Sequence, residues 1–182
     1  MQKLATFILR IFGWRCEVIA PDFKQAVIVV APHTSNWDFL LGKLGYAAMG
    51  RFAYFAIKKE WITAPVIGPL IKKMGGIPVD RDKASRFTDQ IAAEFKKNEN
   101  FCFAITPEGT RKRNPKWKRG FYHIAVKAGV PMVMVKIDYA QKKMILFDLF
   151  VPTGDEHADI KAVKEKFRGS VAKHPENFSI DD

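Results

Sequence analysis

A histidine and an aspartate, His33 and Asp38, stand with four residues between them directly after the apolar run Val27-Ile28-Val29-Val30-Ala31-Pro32. Neutral imidazole titrates near physiological pH and takes a proton from a hydroxyl or an amine. A carboxylate facing the second ring nitrogen fixes the tautomer and stabilises the imidazolium without taking the proton itself. Such a pair serves general-base catalysis. No glycine-flanked serine elbow accompanies it, so direct attack by an acceptor is expected rather than a serine acyl-enzyme. Taken alone the pair is a weak signal, because a helix-start aspartate beside a capping or core histidine gives the same spacing.

Two further stretches carry anion-binding chemistry. Gly75-Gly76-Ile77-Pro78-Val79-Asp80-Arg81 offers a glycine pair, a short apolar segment and an arginine. Ile105-Thr106-Pro107-Glu108-Gly109-Thr110-Arg111 places a second arginine past another apolar run. Guanidinium forks match phosphate oxygens bidentately. Gly109 permits close backbone approach, and Glu108 and Thr110 are expected to bind acceptor hydroxyls or to hold the arginines. A solvated ion pair with Asp80 or Asp82 is the plainer reading of Arg81. For Arg111 it is membership of a basic surface run.

The elements that must position these groups are legible in outline. Apolar, β-rich runs at residues 26–31, 52–57, 77–79, 101–106, 132–137 and 144–150 alternate with helical patterns at 4–12, 37–49, 84–98, 120–128 and 159–173. That alternation predicts an α/β sheet, and continuous rather than alternating apolar runs predict strands covered on both faces. Pro32 ends the first strong strand, and Thr34, Ser35 and Asn36 are each suitable helix N-caps. A regular helix turns residues five apart by about 500°, off a shared face, so His33 meets Asp38 only by lying before the helix and folding back.

Composition narrows the class. The chain has 182 residues, 48% of them hydrophobic, enough for a substantial core. Thirty Lys and Arg against 19 Asp and Glu give a formal charge of +11. The resulting field attracts nucleic acid, anionic membrane or phosphorylated small molecules. No groove-reading motif accompanies it, so nucleic acid is not an expected partner. Cys16 and Cys102 have no second ligand at metal spacing, and no metal site is expected. No apolar run reaches the roughly 18–20 residues of a membrane-spanning helix.

With these blocks in place, the chain resembles the lysophosphatidic acid acyltransferase (1-acylglycerol-3-phosphate acyltransferase) superfamily over roughly positions 25 to 137. His33 and Asp38 match its His-x4-Asp block. Gly75 through Ile77-Pro78-Val79 to Arg81 match the second block, and Pro107 to Arg111 match Pro-Glu-Gly-Thr-Arg in full. Val130-Pro131-Met132-Val133-Met134-Val135 match the fourth. Two positions depart from it: Pro78, where many members carry an aromatic residue, and Thr106, where the third block usually opens with Phe.

The resemblance implies a single α/β domain with a mixed, mostly parallel central sheet flanked by helices, glycerolipid-acyltransferase-like. A short helical, membrane-facing element (1–24) precedes the acyltransferase domain proper (25–182). It implies His33 as base and Asp38 as its orienter, with Arg81, Glu108, Gly109, Thr110 and Arg111 as the acceptor or phosphate site. The co-substrate is then an acyl-CoA or acyl-carrier protein, with no bound cofactor. The acceptor is a membrane lipid of lysophospholipid type. N- or O-acylation of a non-phosphate, amino-acid lipid and a non-enzymatic basic lipid-binding module are the alternatives.

A lipid acceptor requires docking, expected on the inner, cytoplasmic face of the cell membrane through its anionic surface. Trp61, Ile62, Ile67, Leu70 and Ile71 recur at helical spacing between lysines and are the expected membrane-facing residues, with Pro69 marking a kink or two short helices. The greasy, basic segment 4–14 is a second candidate. Packing on the sheet as core helices explains the same periodicity.

Overall fold

Strand β2 (Ala26–Ala31) shows why the apolar runs are unbroken. Val27, Val29 and Ala31 enter one buried cluster while Ala26 and Ile28 enter another on the opposite face of the sheet. The computed structural model describes residues 1–79 and 84–181, without the side chains of 84–86. Its elements are α1 (Gln2–Ile11), β1 (Arg15–Val18), β2, α2 (Asn36–Ala48), β3 (Tyr54–Lys58), α3 (Lys59–Thr63), α4 (Gly68–Lys73) and β4 (Gly76–Val79). There follow α5 (Ala84–Lys97), β5 (Cys102–Ile105), α6 (Gly120–Ala128), β6 (Met132–Asp138), β7 (Lys143–Phe150) and α7 (Glu156–Glu165).

One seven-stranded sheet in the order β1-β7-β6-β2-β5-β3-β4 organises the chain. All neighbours are parallel except the β6–β7 pair, which is antiparallel. Helices cover both faces: Leu9 of α1 and Tyr46 of α2 pack in one cluster, and Ile91 of α5, Phe121 of α6 and Val163 of α7 in the other. The fold is a single α/β domain with a mixed, mostly parallel sheet and an N-terminal helix, as the motifs imply.

Three local expectations change. Residues 15–18, unassigned from the sequence, form the edge strand β1 against β7. The break in the 59–73 segment comes at Pro65 rather than Pro69. Ala64 precedes a proline and adopts an extended conformation that stops α3, whereas Pro69 opens α4, where a missing N–H costs nothing. Helix α7 is earlier and shorter than residues 159–173. Asp155 caps it by accepting from Ala158 N at 3.0 Å, and beyond it the chain leaves the helix to give the Val171 carbonyl to Tyr139 N at 2.9 Å.

Candidate functional site

His33 lies two residues past β2, following a cis Ala31–Pro32 bond, at the carboxyl edge of the parallel strands, where open α/β sheets hold ligands. Ser35 caps α2, accepting from Trp37 N, and Asp38 at the third helical position completes a capping box. The turn closes the gap that a continuous helix leaves. His33 Nδ1 stands 3.4 Å from Asp38 Oδ2, with the ring partly open to solvent and the carboxylate 3% exposed. The Asp38 side chain therefore both caps the helix and faces the imidazole.

Asp38 is richly supplied with donors. Its Oδ2 accepts from Thr34 N and Ser35 N, both at 2.7 Å, and its Oδ1 accepts from Tyr139 OH at 2.6 Å. Burial acts to raise this carboxyl, but the contact with His33 and the hydrogen bonds from Tyr139, Ser35 and Thr34 outweigh it and hold it below the ordinary aspartate value. Asp38 is therefore an anion. Burial and the bond to Asp38 push the Tyr139 phenol far above its usual range, so it remains a donor. Trp14 packs edge-on to the Tyr139 ring at 5.0 Å, and the tyrosine is thereby fixed from behind.

Glu108 is 2% exposed and turned beneath its loop. Its Oε1 accepts from His33 N at 2.8 Å, while Oε2 has no partner among the described residues. Burial, opposed by main-chain hydrogen bonds and reinforced by Asp38, pushes its pKa up to about 8. The side chain holds the main chain of His33. Asn114 Nδ2 in turn donates to Glu108 O at 2.7 Å, tying down the loop.

Gly109 adopts φ +67°, and a Cβ there would meet Lys118 Cγ at 2.8 Å, so the turn admits glycine with least strain. Thr110 Oγ1 accepts from Lys112 N at 3.2 Å. Arg111 reaches back across the edge and donates to Asn36 Oδ1 at the first turn of α2. His33, Asp38, Glu108 and Arg111 thus converge from two separate stretches of chain. Arg81 lies outside the described residues.

Sequence reasoning missed Tyr139, which follows β6; only the parallel β2–β6 register, in which Ala31 pairs Lys136, brings it to the site. That register sets Tyr139 level with Thr34. It also missed Thr34 as an anchor, whose Oγ1 accepts from His174 N at 3.2 Å. Of the residues expected to face a membrane, Trp61 and Leu70 are exposed and Ile67 is marginally so, whereas Ile62 is 6% exposed and turned inward. In the second candidate segment, Leu4, Phe7, Ile11 and Phe12 are exposed, and Trp14 is buried.

Residues 15–138 match the family described as Acyltransferase. The chain belongs to that family. A 1-acyl-sn-glycerol-3-phosphate acyltransferase of Salmonella typhimurium is 33% identical over 146 residues, covering 75% of this chain and 58% of the relative. The corresponding protein of Haemophilus influenzae is 29% identical over 145 residues, 75% of this chain and 59% of the relative. The chain thus spans somewhat under three fifths of the curated relatives it matches. The crystal structure of the 1-acyl-sn-glycerophosphate (LPA) acyltransferase from Thermotoga maritima shares the fold, with TM-score 0.61 at 20% identity over 94% of this chain and 80% of that one. The family match contains His33, Asp38, Arg81 and the 107–111 loop, and Tyr139 lies one residue beyond its end.

Proposed function

We propose that the chain transfers a fatty acyl group from an acyl thioester, carried on coenzyme A or acyl-carrier protein, to the hydroxyl of a lysophospholipid-like acceptor such as 1-acylglycerol-3-phosphate. The observation that carries the reading is the His33 ring facing an ionised Asp38 at the open sheet edge, in a chain of the acyltransferase family.

In this reaction Nδ1 keeps its proton toward Asp38, and Nε2 takes the proton of the acceptor hydroxyl as the oxygen attacks the thioester carbonyl. The tetrahedral intermediate collapses by breaking the carbon–sulfur bond, and the imidazolium returns its proton to the departing thiolate. An ester and a free thiol result. Asp38 stabilises the transient imidazolium, Glu108 and Tyr139 hold the two members of the pair, and Arg111, with Arg81, neutralises the acceptor's phosphate.

No helix among the described residues is long and apolar enough to cross a membrane. Docking at the inner face of the cell membrane is supported by the exposed Trp61, Ile67 and Leu70, by the outer stripe Leu4, Phe7, Ile11 and Phe12 of α1, and by the charge of +11. Ile62 belongs to the fold rather than to this surface.

The test is His33→Ala, assayed with acyl-CoA and acyl-carrier protein as donors in separate arms, against phosphate-bearing and amino-acid lysolipids. Transfer is expected to fall by roughly 10³-fold or more, within the range for removal of a general base, with the circular dichroism spectrum unchanged. Turnover near wild type with every donor ends the assignment.

A further inference from the structure

Lys43 lies on α2, five residues past Asp38, and no motif accounts for it. Its ammonium is half-buried and, among the described residues, forms no ion pair. Nζ donates to Ala53 O at 2.9 Å and to Met74 O at 2.6 Å. It also stands 4.7 Å from the Phe52 ring centroid and 5.2 Å from that of Phe55. Met74 is the C-cap of α4, so the charge meets a helix carbonyl end, the favourable pole for a cation. Burial nonetheless pushes the ammonium down to about 8. A half-buried cation with no anion beside it among the described residues is a poor choice for stability alone, because an apolar side chain of the same length avoids the desolvation.

What the ammonium joins is specific. Ala53 and the two rings belong to the approach to β3 and its first residues, Met74 to the approach to β4, and Lys43 itself to the helix that carries Asp38. The glycine pair closes on the same groups. Gly75 adopts φ +90°, and a Cβ on it would come within 2.8 Å of the Phe52 ring and 3.2 Å of Ala53 O. A Cβ on Gly76 would meet Ile71 Cγ2 at 2.5 Å. Phe55 N donates to Gly75 O at 3.0 Å, setting the β3–β4 register. Phe39, one turn before Lys43, packs edge-on to Phe55 at 4.9 Å.

We propose that Lys43 is a positioning residue that ties the entry of β4 to the helix bearing Asp38, and thereby sets acceptor affinity separately from the proton-transfer step. The affinity half rests on the reading above, in which acceptor contacts, Arg81 among them, follow β4 in the chain. The mechanical half does not depend on any activity.

Lys43→Met is to be compared with wild type by hydrogen-exchange mass spectrometry of the free protein, and by kinetics with 1-acylglycerol-3-phosphate in mixed micelles. Amides of residues 74–79 are expected to exchange roughly tenfold faster, as the loss of one to two ordinary hydrogen bonds implies, while β2 and β6 are unchanged. Acceptor KM is expected to rise by a similar factor, with donor KM and kcat within about twofold. Lys43→Gln, which keeps N–H donors without the charge, is expected to fall between the two and decides the matter by the same readouts if the methionine variant does not fold. Unchanged exchange at 74–79 overturns the proposal, as does faster exchange with an unchanged acceptor KM. A wild-type chain that transfers no acyl group removes the function proposed above but leaves the exchange experiment able to reject or sustain the tie.

Discussion

Asp38 and Glu108 are two carboxyl groups with almost the same small solvent exposure, on either side of one histidine, with opposite charge states. Asp38 sits in the first turn of α2, where two main-chain N–H groups and the Tyr139 hydroxyl point at it. Among the described residues, Glu108 in the β5–α6 loop has one side-chain donor, His33 N, on one oxygen and none on the other. Burial penalises both anions. Only at Asp38 do enough donors converge to overcome it, so that carboxyl falls below its ordinary value while Glu108 rises to about 8. Deeper desolvation at Glu108 and more donors at Asp38 act together to separate the two carboxyls. The result suits the proposed chemistry: the anion faces the ring that would become cationic, and the neutral acid braces its main chain without adding a second negative charge.

The sharpest way to break this contrast is Asp38→Asn, which keeps the volume but removes the charge and turns an N–H toward groups that donate. Acyl transfer is expected to drop by roughly 10³-fold or more, on the scale of losing the orienting carboxylate of a triad, read as kcat/KM with either donor. Retention of most activity would make Asp38 a helix cap alone.

Tyr139→Phe removes one donor and leaves the others. A loss of about tenfold in kcat/KM is expected, the worth of one hydrogen bond to a charged group. The Asp38 carboxyl should also move upward. Because its folded value is depressed, it contributes stability above the ordinary aspartate range that is lost as pH falls through that depressed value. Weakening the depression therefore shifts the midpoint of acid unfolding to higher pH, which a circular dichroism titration measures.

Glu108→Gln is expected to change activity least, within about threefold at neutral pH, since the amide keeps the acceptor for His33 N and substitutes for a carboxyl already neutral. Its signature lies in stability. Between the ordinary glutamate value and about 8, the unfolded wild-type chain gives up this proton and the folded chain retains it. The native state therefore loses stability as pH rises through that window. Glutamine abolishes the loss, so the variant's advantage in melting temperature should grow from pH 5 to pH 8. An advantage that stays constant with pH would mean that Glu108 is ionised in the fold.

Much of this arrangement was legible before any coordinates. His33 and Asp38 lie within one strand–turn–helix unit, so local signals were enough to read them: the apolar run, Pro32, and three successive capping residues. The 107–111 loop is recognisable from its residues, though the bond from His33 N to its buried glutamate is not. The polar alternation Arg15-Cys16-Glu17-Val18 concealed β1, because an edge strand of four residues carries little apolar signal. Tyr139 and Lys43 were invisible for a different reason. Each is an ordinary residue locally, and their partners lie 101 residues away for Tyr139 and as far as 31 for Lys43.

Residue order carries the candidate reagents of this protein, namely a histidine, a carboxylate five residues beyond it and two arginine-bearing stretches, because short-range steric and capping rules act on consecutive residues. Which carboxyl keeps its proton, which tyrosine steadies the anion and which lysine joins α2 to the β4 entry depend on desolvation and on donors brought from distant strands. Those quantities come into being when the sheet closes its register and excludes water.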